Sequence, residues 1–84
     1  MTRPLFEIAR EINKEIAGKS WAPYAEAYTI PMESLASIND NYYEDGGETI
    51  IVYALANLNS WRGDTARRIK IELNDLLKAR KGNK

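Results

Sequence analysis

Carboxylates in residues 40–48 form the densest group of side chains that could do chemistry: Asp40, Glu44, Asp45 and Glu48. Carboxylate oxygens are the ligands that Ca²⁺ and Mg²⁺ prefer in proteins. An EF-hand loop that started at Asn41 would place glycine correctly at its sixth position. Its third and twelfth positions would hold Tyr43 and Val52, which are not ligands. We therefore expect a solvated loop without metal, whose carboxylates favour the start of the following helix.

The 84-residue sequence contains no cysteine and no histidine, which limits its chemistry. Without cysteine there are no disulfides and no thiolate zinc sites. Without histidine the commonest general base and the commonest transition-metal ligand are missing. Catalysis would have to rest on carboxylates, lysine, tyrosine or serine, and no decisive arrangement of these groups is present. We therefore predict a protein that is not an enzyme and that carries no cofactor.

Aromatic and apolar residues near charged ones mark candidate surfaces for binding another protein, because tyrosine, tryptophan and arginine are enriched at the energetic centres of interfaces. The protein-interaction candidates are Tyr42, Tyr43, Glu44, Asp45, Trp61, Arg62 and Ile71. An acidic surface with tyrosines can also imitate nucleic acid toward a protein that binds it. The structural alternative packs one tyrosine of the loop into the core. In the same structural alternative, Trp61 closes the end of the helical fold. We favour this role for Trp61 because tryptophan is largely buried on average.

Charge is unevenly distributed along the chain, although the formal net charge is zero. Residues 1–60 carry four basic and nine acidic side chains, whereas residues 61–84 carry eight basic and three acidic. A basic last helix after a short turn would suit a helix-turn-helix that contacts DNA phosphates. The nucleic-acid candidates are Arg62, Arg67, Arg68, Lys70, Lys78 and Lys81. The alternatives are a solvated helix face with pairs such as Arg68–Glu72, or pairing of the basic end with the acidic part within one copy or between copies.

Apolar residues at spacings of three and four predict an all-α fold of about four helices. The first helix is amphipathic, and its apolar stripe is Leu5, Ile8, Ala9, Ile12 and Ile16. Thr2 is the predicted N-cap and Gly18 the predicted stop. The last helix is predicted to run from Trp61 to Arg80, with Ser60 as its cap.

The sequence from Pro23 to Ile38 predicts either one kinked helix or a short helix that ends near Thr29 and a second that starts at Pro31, with apolar spacing that continues to Ile38 in both cases. We favour the break at residues 29–31. Pro31 is the reason for the break, because proline removes a backbone hydrogen bond and clashes with the preceding turn. Thr29 would cap the part that follows. Tyr24 and Tyr28 could stack bases together with Trp21, but their spacing of four residues favours core packing.

The most apolar stretch of the chain, about residues 48–58, is the predicted central helix. Residues 39–47 are predicted to be a loop, and Asp45 is the predicted cap, with Glu48 three residues later. A helix that is apolar on all sides must be covered on all sides, so we expect the other segments to surround it.

Length and hydropathy predict one helical domain over residues 1–84, with a frayed tail at residues 81–84. Charged residues interrupt the apolar residues of the N-terminus, which is unlike a signal peptide, and no apolar run has the length of a membrane span. We therefore expect a cytoplasmic protein with no membrane contact.

The segment NSWRGDTARRIK at residues 59–70, followed by Glu72 and Leu73, resembles a group of short uncharacterised proteins encoded by phages and prophages of Gram-positive bacteria. Further matches are Leu5–Ala9, then Tyr28, Met32 and Leu35, and the acidic loop at Asn39–Asp45. The resemblance covers most of the chain and implies a mobile-element origin with no established activity. Small proteins of that origin often bind a host or defence protein, so the resemblance favours such a partner.

We expect a non-enzymatic protein that binds another protein, as an inhibitor of a host or defence factor. The alternative is a small DNA-binding module that uses the basic last helix, and a third hypothesis is a structural homodimer. DNA binding should weaken steeply with salt and with substitution of Arg67 or Lys70. Protein binding should depend more on Tyr42, Tyr43 or Ile71.

Overall fold

The computed structural model describes residues 3–43 and 45–82, with side chains as far as residue 79. The elements in this part of the chain are α1 (Leu5–Ile16), α2 (Ala22–Met32), β1 (Asn41–Tyr42), β2 (Asp45–Gly46), α3 (Gly47–Ala56) and α4 (Asp64–Gly82). The predicted helical fold around an apolar helix near residues 48–58 is confirmed, with a small hairpin added. Residues 81–82 of the predicted frayed tail belong to α4, and residues 83–84 lie outside the described part.

The first helix, α1, buries the predicted stripe: Leu5, Ile8, Ala9, Ile12 and Ile16. The helix begins after Pro4, and its first two N–H groups donate to carbonyls of residues 35–36 at 3.1 and 2.8 Å. Backbone groups of another segment therefore satisfy donors that a helix start leaves without partners. Gly18, at a φ of 87°, ends the helical turn as predicted, and Thr2 lies outside the described residues.

The predicted break of the second helix is wrong, because α2 continues through residues 29–31 to Met32. Pro31 lies in the last turn, where its missing N–H removes one hydrogen bond and leaves the earlier turns intact. Thr29 does not cap a further helix. It is buried, and its hydroxyl donates to the side-chain oxygen of Asn13 on α1. Residues 33–40 form turns, in which Leu35 reaches the core.

The acidic segment predicted as a loop contains a short antiparallel hairpin, in which Asn41 pairs with Gly46 and Tyr42 with Asp45. Strands of two residues are too short to produce an alternating sequence pattern, so the pattern could not predict them. Tyr43 turns the chain between them at a φ of 56°. The predicted Asp45 cap is wrong, because Asp45 pairs in β2 and α3 begins without a side-chain cap.

The central helix α3 packs mainly against α2 and also contacts α4 and β2. Ile50, Ile51 and Ala54 are its buried apolar side chains. The expectation that the other segments cover it on all sides is wrong, because Val52 and Tyr53 are about half exposed. The amphipathic helices α1 and α4 each offer one apolar stripe, which covers the inner side of the α2 and α3 pair and leaves its outer side open.

The last helix, α4, begins at Asp64, three residues later than predicted, so Ser60 does not cap it. The connection before it brings Leu58 and Trp61 into the core. Gly63, at a φ of 111°, turns the chain into the helix, which explains a glycine that the helix pattern did not require.

Candidate functional site

The outer sides of α2 and α3, both fully described, carry no charged residue. The buried stripe of α2 is Ala22, Ala25, Thr29 and Met32, so its opposite side faces solvent. Six residues define what we call the α2–α3 face: Tyr24, Ala27, Tyr28, Val52, Tyr53 and Ala56. Ile30 is also exposed and extends this surface along α2. The face is therefore an uncharged surface that spans two helices.

Tyr28 and Tyr53 join the two helices across this face. Their rings are stacked, with centroids 5.4 Å apart and planes at 27°. Tyr53 remains 51% exposed and Tyr24 is 71% exposed. At about 200 Å² for a tyrosine side chain, these two together expose about 250 Å². Val52 on the face and Ile30 beside it add to this exposed area. Together they reach the few hundred Å² of the largest apolar patches on monomers, which are often functional.

Every charge between Lys19 and Arg62 is negative. The six charged side chains in this stretch are Glu26, Glu33, Asp40, Glu44, Asp45 and Glu48. Two of them hold the fold together: Glu33 accepts a hydrogen bond from Asn13 at 2.6 Å, and Asp40 accepts two from backbone N–H groups at residues 36–37. The unit formed by α2, the hairpin and α3 is therefore purely acidic.

The hairpin candidates lie at the turn that precedes α3. Tyr42 is partly buried against the core, whereas Tyr43 is exposed. Their rings meet edge to face at 4.7 Å. A left-handed backbone is uncommon for a bulky residue such as Tyr43, so the turn holds this side chain outward at a conformational cost. Asp45 is exposed beside it, and Glu44 lies outside the described residues.

The candidates of the last third of the chain lie on separate elements. Trp61 is buried in the core, as its structural interpretation predicted, and its carbonyl accepts a hydrogen bond from Nζ of Lys70 at 2.7 Å. Burial, and then the nearby Arg62, lower the pKa of Lys70. Arg62 is exposed before α4, and Ile71 is exposed on α4 itself. The structure therefore does not bring these candidates into one surface.

The basic residues of α4 do not form one free surface either. Arg68 donates a hydrogen bond to Glu11 on α1, and Lys70 donates one to the carbonyl of Trp61. Arg67 and Lys78 are exposed, and the side chain of Lys81 lies outside the described part. Of the candidates whose side chains are described, Arg68 and Lys70 thus donate hydrogen bonds within the fold, and Arg67 lies 3.6 Å from the exposed carboxylate of Asp64.

The predicted intrahelical pair Arg68–Glu72 is wrong, because both residues find partners outside α4. Glu72 accepts two hydrogen bonds from Arg3, at 2.9 and 2.8 Å, and Arg3 donates a third to Glu11 at 2.8 Å. The chain of ion pairs Arg68–Glu11–Arg3–Glu72 therefore joins the two ends of the sequence within one copy. Its hydrogen bonds raise the pKa of Arg3, and the bond from Arg3 is the main reason that the pKa of Glu11 is lowered.

The described residues contain no group of three or more carboxylates placed to hold a metal ion. Over the same residues, no helix is both long enough and apolar enough to cross a bilayer. Among the described residues, the lining of the cleft at Arg3, Leu5 and Ile38 contains no carboxylate.

The residues of the α2–α3 face were absent from the predicted site. The sequence predicts core packing or base stacking with Trp21 for Tyr24 and Tyr28, and a covered helix for Val52 and Tyr53. In the structure Trp21 and Tyr28 are partly buried, while Tyr24 points to solvent. The signal in the sequence is that α2 and α3 carry one charged residue each, Glu26 and Glu48, with only two amphipathic helices to cover them.

Comparison with known proteins supplies no relative. No protein-family model, curated protein or solved structure matches this chain.

Proposed function

We propose that this chain is a non-enzymatic protein-binding module that binds its partner on the α2–α3 face. The observation that carries the proposal is that two packed helices turn uncharged sides to solvent, with the Tyr28–Tyr53 stack between them. Apolar surface left in water costs about 25 cal/mol per Å², and a partner that covers the face would recover this free energy.

The composition of the face supports a protein partner. Tyr24 and Tyr53 offer large, rigid side chains whose rings contact apolar groups while their hydroxyls bond at the edge. Charged residues are depleted at the centre of interfaces and aromatic residues are enriched there. The face has both properties.

The resemblance to phage and prophage proteins supports the finer part of the proposal. On that ground we assign the partner to a host or defence protein, the effect to inhibition, and the place of action to the host cytoplasm.

An affinity pull-down from nuclease-treated bacterial lysate tests the proposal. It compares wild type with Val52→Lys on the face and Ile71→Lys on α4, two helical positions with side chains 49% and 55% exposed. Lysine has at least the helix propensity of valine and isoleucine, so both variants should fold. We expect a protein partner that wild type and Ile71→Lys recover and Val52→Lys loses. Equal recovery by all three would contradict the proposal.

The same pull-down, extended to Arg67→Ala and to lysate without nuclease, also tests the DNA-binding alternative. A partner that is recovered only without nuclease, and that is lost with Arg67→Ala but not with Val52→Lys, would favour the basic helix. Arg67 is the informative residue because its side chain is mostly exposed, whereas Arg68 and Lys70 are engaged within the fold.

A further inference from the structure

We infer that the α2–α3 face takes a cationic amphipathic helix, which is a segment with apolar side chains along one side and lysine or arginine along both flanks. This inference rests on the proposed function, because it names the chemistry of the partner for the same face.

Charge complementarity is the first argument. The unit formed by α2, the hairpin and α3 contains six carboxylates and no basic residue, whereas its outer side has no charge at all. A partner with an apolar centre and basic flanks would match both properties. Opposite charges at the edge of an interface steer encounter and fix orientation, while the apolar centre supplies most of the affinity.

The positions of two carboxylates give the second argument. Glu26 precedes Thr29 by three residues and Glu33 by seven, and both of these contact Asn13, so Glu26 lies on the side of α2 that is turned toward α1. On α3, Glu48 is five residues before Tyr53, about 140° around the helix and away from the seam with α2. Glu48 therefore lies beside Val52 at one edge of the face, whereas Glu26 lies beyond Ala27, on the side of α2 turned toward α1, and both carboxylates are half-buried.

The shape of the face is the third argument. The helices α2 and α3 have 11 and 10 residues, so each is about 15 Å long. Packed side by side, they offer a surface along which a helix of about three turns can lie, with apolar side chains spaced by three and four residues. The exposed rings of Tyr53, within the stack, and of Tyr24, on the same side of α2, supply the contact area.

A second copy of the chain fits the same face less well. A two-fold interface would bring two acidic units together, each with no basic residue between Lys19 and Arg62. Like charges at close distance oppose such an association, and a cationic partner meets no such repulsion.

Binding of synthetic peptides tests the inference. Three fluorescein-labelled helical peptides of about 18 residues share one leucine stripe and carry lysine, glutamine or glutamate on both flanks. Fluorescence anisotropy gives their Kd for wild type, Val52→Lys, Glu26→Gln and the control Glu15→Gln. Glu15 is exposed on α1 and is separated from Asn13, the contact with α2, by about 160° around the helix.

We expect the lysine peptide to bind wild type at least about tenfold more tightly than the glutamate peptide. Val52→Lys should weaken its binding at least about tenfold, because it places a hydrated cation on the apolar face and one helical turn from Glu48, whose charge it would offset. Glu26→Gln and higher salt should each weaken it about two- to fivefold, and Glu15→Gln should leave it unchanged.

Several results would overturn the inference. One is absence of binding by the lysine peptide at about 100 μM protein, a range in which even weak complexes form. Another is binding of the lysine peptide that Val52→Lys does not change, and a third is sedimentation of wild type as a dimer that Val52→Lys dissociates. Equal binding of all three peptides, still abolished by Val52→Lys, would overturn only the charge preference and would keep the face as the binding surface.

Discussion

Replacement of Arg3 by methionine should destabilise the fold, because it breaks the ion pairs that join the N-terminus, α1 and α4. Nε and Nη2 of Arg3 donate to both carboxylate oxygens of Glu72, and Nη1 donates to Glu11. Methionine keeps much of the aliphatic length of arginine, so the substitution removes the charge and the hydrogen bonds more than the packing.

The magnitude follows from how far these groups are exposed. The side chains of Arg3, Glu11 and Glu72 are 28%, 31% and 21% exposed, between those of surface pairs and those of buried pairs. Exposed pairs contribute about 0–1 kcal/mol. A forked pair adds to this, and its loss leaves a partly buried carboxylate without that donor. We expect a loss of about 2 kcal/mol in the free energy of unfolding, and a fall in Tm of about 10 °C for a domain of this size.

Thermal unfolding followed by circular dichroism at neutral pH and low salt measures this loss. Arg67→Met is the matched control, because Arg67 is mostly exposed and its nearest carboxylate, on the fully exposed Asp64, is 3.6 Å away. Its Tm should stay at the wild-type value. Arg3→Lys keeps the positive charge but cannot form the forked hydrogen bonds to Glu72, so its Tm should lie between those of Arg3→Met and wild type. A Tm for Arg3→Met equal to that of Arg67→Met would refute the reasoning.

Three further predictions concern the fold. The free energy of unfolding should fall below about pH 4.5 partly through Glu11, because the hydrogen bond from Arg3 lowers the pKa of Glu11 in the folded chain. This contribution is present above the pKa of the unfolded chain and is lost as Glu11 is protonated in the folded one. Glu11→Gln should therefore reduce the fall of Tm at acid pH. Thr29→Val should cost about 1–2 kcal/mol in urea unfolding, because it removes the buried hydroxyl that donates to the partly buried amide of Asn13. Gly47→Ala should cost about 1–3 kcal/mol, because its Cβ would stand 2.7 Å from the carbonyl oxygen of Ile38.

Each of these predictions has an internal check. An acid limb for Glu11→Gln that superimposes on that of wild type would argue against the role of its pairing. Thr29→Ser keeps the hydroxyl, so it should lose less stability than Thr29→Val, and the reverse order would exclude the hydrogen bond as the cause. Gly46→Ala is the neighbour control, since its Cβ would meet its nearest atom at 3.4 Å; it should be tolerated much better than Gly47→Ala.

Helices with a single apolar stripe were predictable from the sequence. The spacing of Leu5, Ile8, Ile12 and Ile16 matches the buried side of α1, and Ile69 and Leu73, which are four residues apart, lie on the buried side of α4. In both cases local periodicity and tertiary burial agree. Helix ends were less accurate, since Pro31 at the end of α2 and Gly63 before α4 act through turn geometry that periodicity does not encode.

Ion pairs were not predictable from spacing alone. Arg68 and Glu72 stand at the helical spacing of four residues, yet each pairs with a residue near the other end of the sequence. An intrahelical pair contributes only about 0.5 kcal/mol, so a partner brought close by the fold can replace it. Such partners depend on how α1 and α4 pack, which the sequence does not state.

The candidate site was partly predictable from the sequence. The absence of basic residues between Lys19 and Arg62 is visible in the sequence, as is the apolar character of α2 and α3. The sequence does not show which side of α2 and α3 is exposed, because that depends on where α1 and α4 pack. Tyr28 and Tyr53 are also too far apart in sequence for their stacking to be foreseen.

Site-specific photocrosslinking tests the central claim, that the α2–α3 face binds a protein partner, most directly. A benzophenone amino acid is placed in turn at Val52 on the face, at Ile71 on α4 and at Tyr43 on the hairpin, and each protein is irradiated in nuclease-treated bacterial lysate. We predict a discrete protein adduct from position 52 and none from position 71. Adducts that form only from position 43 or 71, or equally from all three, would contradict the assignment of the face.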